Sequence, residues 1–398
     1  MKILHVATRH RRGGAERNLI HTMEQELDRG WEVHAAVHPF EYQPTLPASA
    51  RVHFVPQMVR EVSPYRDLLA TVILRKLVRR ERFDVVHTHQ SKAGILGRVA
   101  AWRLAPAIVH TIHMPSFGEP YASHASWVFK RLELLCARIT DRFIAVGSEL
   151  RDVYVQAGVG RPEQYSVIHS PIDVSSFSKL RDSSPSQRSR WRRELGIDAK
   201  TRVILSIGAL DPRKRHDTAI RRLAPAMSNL DLVLLVAGEG PEETNLRALA
   251  ADLGVQNHVR LLGFVEDVRP LLGIADVFVH VSEVEGVPQV VLQALAAGVP
   301  VLASPVEGLR EIDEAPLLLV GRDGDGLGEA LERALADRER FSLPNRDLLR
   351  DWSPKQVNLK LGELHNDIEA LVRSRSTDRE TVRPADAPPA APSSSSSL

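Results

Sequence analysis

The stretch Ser282-Glu283-Val284-Glu285-Gly286-Val287-Pro288-Gln289-Val290-Val291-Leu292-Gln293-Ala294-Leu295-Ala296-Ala297-Gly298-Val299-Pro300-Val301 reads as one passage from loop to helix to strand. The apolar run over 277–281 just before it predicts a strand, and its polar residues and Gly-Val-Pro turn then lead into a helix over 289–297 and a strand over 300–303. The free N–H groups at such a helix start suit anions or hydroxyls. Gln289 and Gln293 lie four apart and share a helical face. Glu285 precedes the helix and reads either as a ligand-facing carboxylate or as a charge that favours the helix dipole.

The same unit recurs in both directions. Strands are predicted over 2–7, 33–37, 52–55, 84–87, 108–112 and 143–146, with helices over 14–29, 66–82 and 91–102 among them. After a break the alternation restarts, with strands over 203–207, 231–237 and 259–262 and helices over 216–226 and 242–253. Continuous apolar strands are those of parallel sheets buried on both faces, and βα alternation with right-handed crossovers gives doubly wound sheets. The fold class is therefore α/β, two Rossmann-like doubly wound domains in tandem. The expected boundaries are a first domain over 1–172, a Ser-, Asp- and Pro-rich linker over 173–190 and a second domain over 191–352. An amphipathic helix over 353–373 follows, then a disordered tail over 374–398, too poor in apolar residues to offset its ordering entropy. Ligands of open parallel sheets bind beyond the carboxyl ends of the strands, which places a site between two facing sheets.

Two further loops sit just after predicted strands. Arg11-Arg12-Gly13-Gly14-Ala15-Glu16 opens the first helix, and its glycines let backbone approach a ligand closely. It reads as a phosphate loop or as a plain strand-to-helix turn. Asp211-Pro212-Arg213-Lys214-Arg215-His216 puts three cations before a helix, which reads as a diphosphate clamp or as a solvated basic loop. His87, His89 and His113 follow or end strands; a metal site would require convergent ligands and a second shell, which spacing alone does not show. Asp323-Gly324-Asp325 reads as a loop or helix start.

Composition narrows the classes. The chain has 398 residues and a net charge of +2. Residues 1–185 hold 25 Lys and Arg against 18 acids, and residues 186–398 hold 27 against 32. A basic first half and an acidic second half suggest different partners, and the basic excess is too small to point to nucleic acid. One cysteine, Cys136, excludes a disulfide framework and a Cys-cluster metal site. No apolar run reaches the ~18 residues that cross a bilayer, and the amino terminus lacks a secretory pattern, so the expected location is the cytoplasm. Residues 65–82 combine Leu68, Leu69, Val72, Ile73, Leu77 and Val78 with Arg75, Lys76, Arg79, Arg80 and Arg82. Such a helix either packs on its sheet or also lies against an anionic membrane at the inner face.

Together these motifs resemble the retaining glycosyltransferases of family 4, which have the GT-B fold. That family's signature is a Glu-Gly pair, a second Glu eight positions after the first, and a Gly-x-Pro-Val strand start. Glu285-Gly286 and Gly298-Val299-Pro300-Val301 match, while Gln293 stands at the second acidic position. Gly13-Gly14 is similar to the family's Gly-Gly loop, Asp84-Val85-Val86-His87-Thr88-His89 to its Asp-x-x-His-x-His segment, and His110-Thr111-Ile112-His113 to the strand that ends in its active-site His. Pro171-Ile172-Asp173 with Phe177 resembles its linker signature. Gly208-Ala209-Leu210 with Lys214 resembles its donor loop, with Ala209 in place of Arg. The likeness covers roughly residues 1–372.

The resemblance implies facing domains, a C-terminal helix that returns to the first domain, a nucleoside-diphosphate sugar held by the second domain and an acceptor held by the first. By position, Lys214 neutralises the diphosphate. The cation missing at Ala209 is expected from Arg213, a reading of this sequence that no family motif supplies. Glu285 accepts hydrogen bonds from donor sugar hydroxyls. The amides of Gly286 and Val287 face sugar or phosphate, and Gly13 and Gly14 approach the diphosphate from the other domain. Gln293 contacts the ribose with a carbonyl acceptor and an NH₂ donor in place of a carboxylate. Gly263, Phe264 and Val265 lie near the base, and His113 hydrogen-bonds the donor sugar as a neutral imidazole. His113, Lys214 and Glu285 are the expected catalytic set. No metal and no cofactor is expected beyond the donor substrate. The implied reaction is front-face transfer with retention to a polysaccharide, lipid-linked saccharide or natural product. A sugar-nucleotide-binding scaffold subunit, or another GT-B enzyme such as a nucleotide-sugar epimerase, stands as the alternative; Ala209 and Gln293 are the departures that favour the scaffold.

Overall fold

The structure is a computed structural model that describes residues 1–8, 13–39, 46–59, 61–118, 121–306, 308–312, 315–342 and 346–381. Arg11 and Arg12 of the first loop lie outside these residues.

The apolar runs form two parallel sheets. The first holds β1 (Lys2–Val6), β2 (Glu32–Val37), β3 (Arg51–Phe54), β4 (Val85–His89), β5 (Ala107–Ile112), β6 (Arg142–Ala145) and β7 (Tyr165–Val167), in the order β3-β2-β1-β4-β5-β6-β7. The second holds β8 (Arg202–Ile207), β9 (Leu232–Ala237), β10 (Val259–Leu261), β11 (Val277–His280), β12 (Val301–Ala303) and β13 (Leu318–Leu319), in the order β10-β9-β8-β11-β12-β13. The strand order reverses between β1 and β4 in one sheet and between β8 and β11 in the other. These switch points open the crevices in which ligands of doubly wound sheets bind.

Helices cover both faces because strands such as β9, buried along its whole length, leave no solvated side. On the first sheet α1 (Gly14–Asp28) covers one face, and α2 (Pro64–Glu81) and α3 (Ser91–Ala101) cover the other. α4 (Ser123–Ala137) and α5 (Ser148–Gln156) lead into and out of β6. α6 (Val174–Ser178) and α7 (Pro185–Glu194) precede the second sheet. α8 (His216–Asn229), α9 (Glu243–Asp252), α10 (Arg269–Ile274), α11 (Gln289–Ala296) and α12 (Leu327–Ala336) alternate with its strands, and α13 (Pro354–Thr381) ends the described chain.

Two expectations are corrected here. Residues 173–190 are not an open linker. Asp173 accepts from the Ser176 amide at the start of α6, Ser184 accepts from the Gln187 amide at the start of α7, and Pro185 fills its first turn. Phe177 is buried in the core of the second sheet, and Trp191 packs closely on Gly273 of α10. The Ser, Asp and Pro content that reads as a linker consists in part of helix-start residues. The tail, in turn, does not begin at Ser374, because α13 continues to Thr381. Arg375 grips Asp141 with two bonds, of 2.6 and 3.0 Å. Such a bidentate pair supplies the anchor that composition alone does not disclose. Residues 382–398 of the expected tail lie outside the described residues.

α13 returns to the first sheet. Val357, Leu361, Leu364, Ile368 and Val372 are buried there with Leu19 and Met23 of α1. Each fully buried aliphatic chain of this kind stabilises by about 1.5–3 kcal/mol. The two places where the chain passes between domains are tied together, since the Ile172 amide donates to the Trp352 carbonyl at 2.8 Å and His169 stacks on Trp352 at 4.5 Å. Among the described residues no helix is long and apolar enough to cross a membrane.

Candidate active site

The carboxyl ends of both sheets face one another, and their loops touch. Gly286, in the turn after β11, lies so close to the main chain after β5 that a Cβ there would sit 1.9 Å from the His113 carbonyl oxygen. Gln289, first residue of α11, donates from Nε2 to the Gly14 carbonyl at 3.2 Å. Arg213 Nη1 is 4.0 Å from the Met114 sulfur. Val287 packs on Gly147, and Glu311 accepts from the Ser148 hydroxyl at 2.7 Å and the Glu149 amide at 3.0 Å. These contacts bring Gly14, His113, Arg213, Gly286 and Val287 to one seam.

Lys214 and Glu285 flank the β8/β11 switch point. They form a direct ion pair, and Glu285 also meets the Ser282 hydroxyl at 2.9 Å and His280 Nε2 at 3.1 Å. Burial alone would raise the Glu285 carboxyl, but Lys214 and His280 outweigh it and hold the group well below the usual carboxylate range. The result is a fixed anion with a half-buried ammonium beside it. The Arg213 carbonyl accepts from the Glu283 amide at 2.8 Å and the Ser282 hydroxyl at 3.2 Å, so the basic loop and the acidic loop form one unit.

The three cations of that loop separate. Arg213 is held by both carboxylate oxygens of Asp211, at 3.0 and 3.2 Å. Arg215 adopts a left-handed backbone (φ 49°) and turns to Asp323 at 3.2 Å. Asp325 pairs with Arg222 at 2.6 Å, so the Asp-Gly-Asp triplet is a salt-bridged surface loop. Of the three, Lys214 is the one joined to Glu285.

The remaining expected residues are placed by their elements. Gly13 starts α1. Gln293 is buried one turn into α11. Gly263–Val265 follows β10, where Gly263 has φ 68° and its carbonyl accepts from the Gly238 amide at 2.8 Å.

His113 follows β5, half-buried, with burial pushing its imidazole down to about 4, so it is neutral near pH 7. His87 and His89 are both buried. His89 Nδ1 is 3.3 Å from His113 Nε2. Register explains the grouping: His5 of β1 stands opposite His87 of β4, and His89 follows two residues on, on the same face.

Two family models match the chain. The one described as Glycosyltransferase Family 4 covers residues 12–176, and Glycosyl transferases group 1 covers residues 187–346. A UDP-Gal:alpha-D-GlcNAc-diphosphoundecaprenol alpha-1,3-galactosyltransferase of Escherichia coli is 31% identical over 266 residues, spanning 65% of this chain and 67% of that protein. The chain belongs to glycosyltransferase family 4. A lipopolysaccharide core biosynthesis glycosyltransferase of Rhizobium meliloti is 27% identical, spanning 82% of this chain and 86% of that one. A solved Anabaena protein, HepE in complex with UDP and glucose, has the same fold with a TM-score of 0.75 at 22% identity. It aligns with 92% of this chain and 100% of its own.

This family 4 enzyme thus has the two-domain GT-B architecture. Sequence reasoning assigned no role to several residues of its seam: His280 and Ser282 on Glu285, Glu311 across the domains, and His5 beneath His89. His280 carried a signal, since it ends the strand that leads to Glu285. His5 carried none, because a single His inside an apolar strand most often satisfies a core contact.

Proposed function

We propose that the enzyme transfers a sugar with retained configuration from a nucleoside-diphosphate sugar, most simply a UDP-sugar, to a hydroxyl of a lipid-linked saccharide. The observation that carries this reading is the Lys214–Glu285 pair at the switch point of the second sheet. An ammonium there suits the diphosphate. The anion, already ordered by Ser282 and His280, suits sugar hydroxyls as donors. The relatives agree in chemistry: one is named for UDP-galactose and a diphosphoundecaprenol acceptor, and a structural neighbour holds UDP and glucose.

Lys214, the Ser282 hydroxyl and His280 all meet Glu285 at Oε1, which orders the carboxylate and presents Oε2 to sugar hydroxyls; so ordered, it fits recognition better than nucleophilic attack. In the front-face reaction the acceptor oxygen bonds to the anomeric carbon as the bond from that carbon to the diphosphate oxygen breaks. The acceptor proton passes to the departing diphosphate oxygen. Negative charge grows on that oxygen, so Lys214 and the amides of Gly286 and Val287 stabilise the transition state without a metal. Thermal shift against a panel of sugar nucleotides, followed by product analysis with and without EDTA, tests this. A donor should raise the midpoint as RT ln(1+[L]/Kd) predicts, and the product should be the retained anomer in both buffers. Binding without transfer over a range of lipid-linked acceptors would favour the scaffold reading.

The acceptor class has support on the surface of the first domain. α2 buries Ala70, Leu74, Leu77 and Val78, yet Tyr65, Leu68 and Val72 form a second, outward apolar stripe, with exposures of 74, 63 and 42%. Trp102, whose carbonyl accepts from Arg75 of α2 at 3.1 Å, and Trp127 of α4 are exposed, each beside an arginine, Arg103 and Arg131. Aromatic rings beside cations suit an anionic bilayer interface. Sedimentation with phosphatidylglycerol vesicles should show salt-sensitive binding that Leu68→Glu weakens; no binding at low salt would dismiss the membrane contact.

A further inference from the structure

The helices on one face of the first sheet stand side by side. Arg75 of α2 donates to the Ala100 carbonyl of α3 at 3.1 Å, and the buried Arg98 of α3 pairs with Glu133 of α4 at 2.7 Å. Ala137 of α4 shares an apolar cluster with Leu150 and Tyr154 of α5. At the C-terminal end of α4 this row opens into a cavity of about 550 Å³, walled by Arg131, Leu134, Leu135 and Arg138 and by Arg161 from the turn after α5. The cavity sits before β6 and β7, at their amino ends. The cleft lies at the other end, where Gly147, just after β6, meets Val287 of the second domain. The four residues of β6, about 13 Å of strand, separate the two.

The local sequence builds this cavity and leaves it charged. Trp127, Arg131, Leu134 and Arg138 recur at i, i+4, i+7 and i+11, one stripe of α4. Gly158 ends α5 with φ 83°, a left-handed backbone that suits glycine, and a Cβ there would lie 3.5 Å from Leu134 and narrow the space. Gln164 donates to the Thr140 carbonyl at 2.7 Å and accepts from the Arg161 amide at 2.9 Å, so the loops that carry Arg138 and Arg161 are fixed to each other. Arg151 of α5 is neutralised by Asp152 at 2.7 Å. Among the described residues, by contrast, Arg131, Arg138 and Arg161 form no ion pair, and no carboxylate lines the cavity. The guanidinium of Arg131 lies 5.4 Å from the centre of the exposed Trp127 ring.

We propose that this cavity seats the phosphate of an anionic phospholipid, so that the first domain grips one lipid of the bilayer on which it lies. This rests on the membrane contact read from α2. Charge and shape together select the occupant. Guanidinium forks match phosphate oxygens, while Leu134, Leu135 and the Trp127 ring suit the apolar part of the same molecule. A small soluble anion would leave the leucines without a partner, and an uncharged lipid would leave the arginines without one. Trp127, Val128 and Leu135 on α4 are exposed, as are Tyr65, Leu68 and Val72 on α2 of the same row. With that row against the bilayer, the cleft opens at the rim of the contact. The seat is thus an anchor one strand length from the transferred sugar, separate from the acceptor subsite.

The test is sedimentation of the full chain with vesicles of phosphatidylglycerol in phosphatidylcholine. The decisive variant is Arg138→Lys with Arg161→Lys, which keeps every charge and removes two forks. A seat for phosphate should lose about tenfold in vesicle affinity on that change. Arg138→Gln with Arg161→Gln, which also removes the charge, should lose about 30-fold. Chloride replaced by inorganic phosphate at equal ionic strength should not release the protein; release would mark a site for free anions and overturn the lipid. Binding that Leu68→Glu weakens but the double lysine variant leaves unchanged would keep the membrane contact and overturn the seat. A wild type that does not sediment at low salt would end both. The rise in melting midpoint with a sugar nucleotide should be equal in wild type and lysine variant; its loss would join the cavity to the donor site and overturn an anchor outside the cleft.

Discussion

The two switch points have the same topology and opposite chemistry. At β1/β4 the side chains are buried imidazoles in a hydrogen-bonded series, backed by one buried carboxylate. At β8/β11 they are full charges in direct contact, Lys214 on Glu285, with Arg213 and Arg215 paired nearby. Buried rings in mutual contact fix geometry. Charges supply the field that a departing diphosphate requires. One cleft therefore combines a geometric wall and an electrostatic wall, and each can be perturbed separately.

The largest separation comes from pH. The rings of His87, His89 and His113 stay neutral in the folded protein because burial lowers them, His113 to about 4. The unfolded chain takes up protons below the ordinary value of about 6.5, so the folded state loses stability as pH falls from there toward 4. A ring held near 4 accounts for about 3 kcal/mol over that interval. The β8/β11 side contributes one such ring, His216, also near 4. Hydrogen exchange corrected for intrinsic rates should show β1 and β4 losing protection before β8 and β11 between pH 6.5 and 4.5; equal loss would erase the contrast.

Lys214→Ala attacks the electrostatic wall. Turnover should fall on the order of 10³-fold with the far-ultraviolet spectrum intact. Loss of the ammonium also lets burial raise Glu285, so an acidic limb should enter the rate profile, and rates near normal would end the assignment. Gly286→Ala attacks the seam itself. A methyl 1.9 Å from the His113 carbonyl forces the two walls apart, and kcat/KM should fall about 10²-fold while each domain stays folded. The smallest expected effect is Gln293→Glu. A carboxylate accepts both ribose hydroxyls more strongly than an amide, so donor KM should fall by up to about tenfold. An unchanged KM would place Gln293 away from the ribose.

The pattern of these residues was unequally legible. The strands declared themselves because parallel strands buried on both faces are continuous apolar runs, as in Leu232–Ala237. β7, three half-buried residues at the sheet edge, gave no such run. Residues 173–190 were misread because the residues that start helices are also those of linkers. Lys214 and Glu285 were each legible from a local motif, but their pairing across 71 positions follows from strand order. The line of buried histidines was invisible for a like reason. Its members come from β1, β4 and the end of β5, and only register puts them in line.

The tie between Ile172 and Trp352 has a mechanical consequence. A door hung at one point can swing, tilt and twist. Two connections pinned side by side behave as one short hinge pin, and α13, clamped down at Asp141, is the leaf screwed to the frame. Opening the cleft then becomes a swing along a single arc, so Gly286 returns to the same place against His113 each time the door shuts.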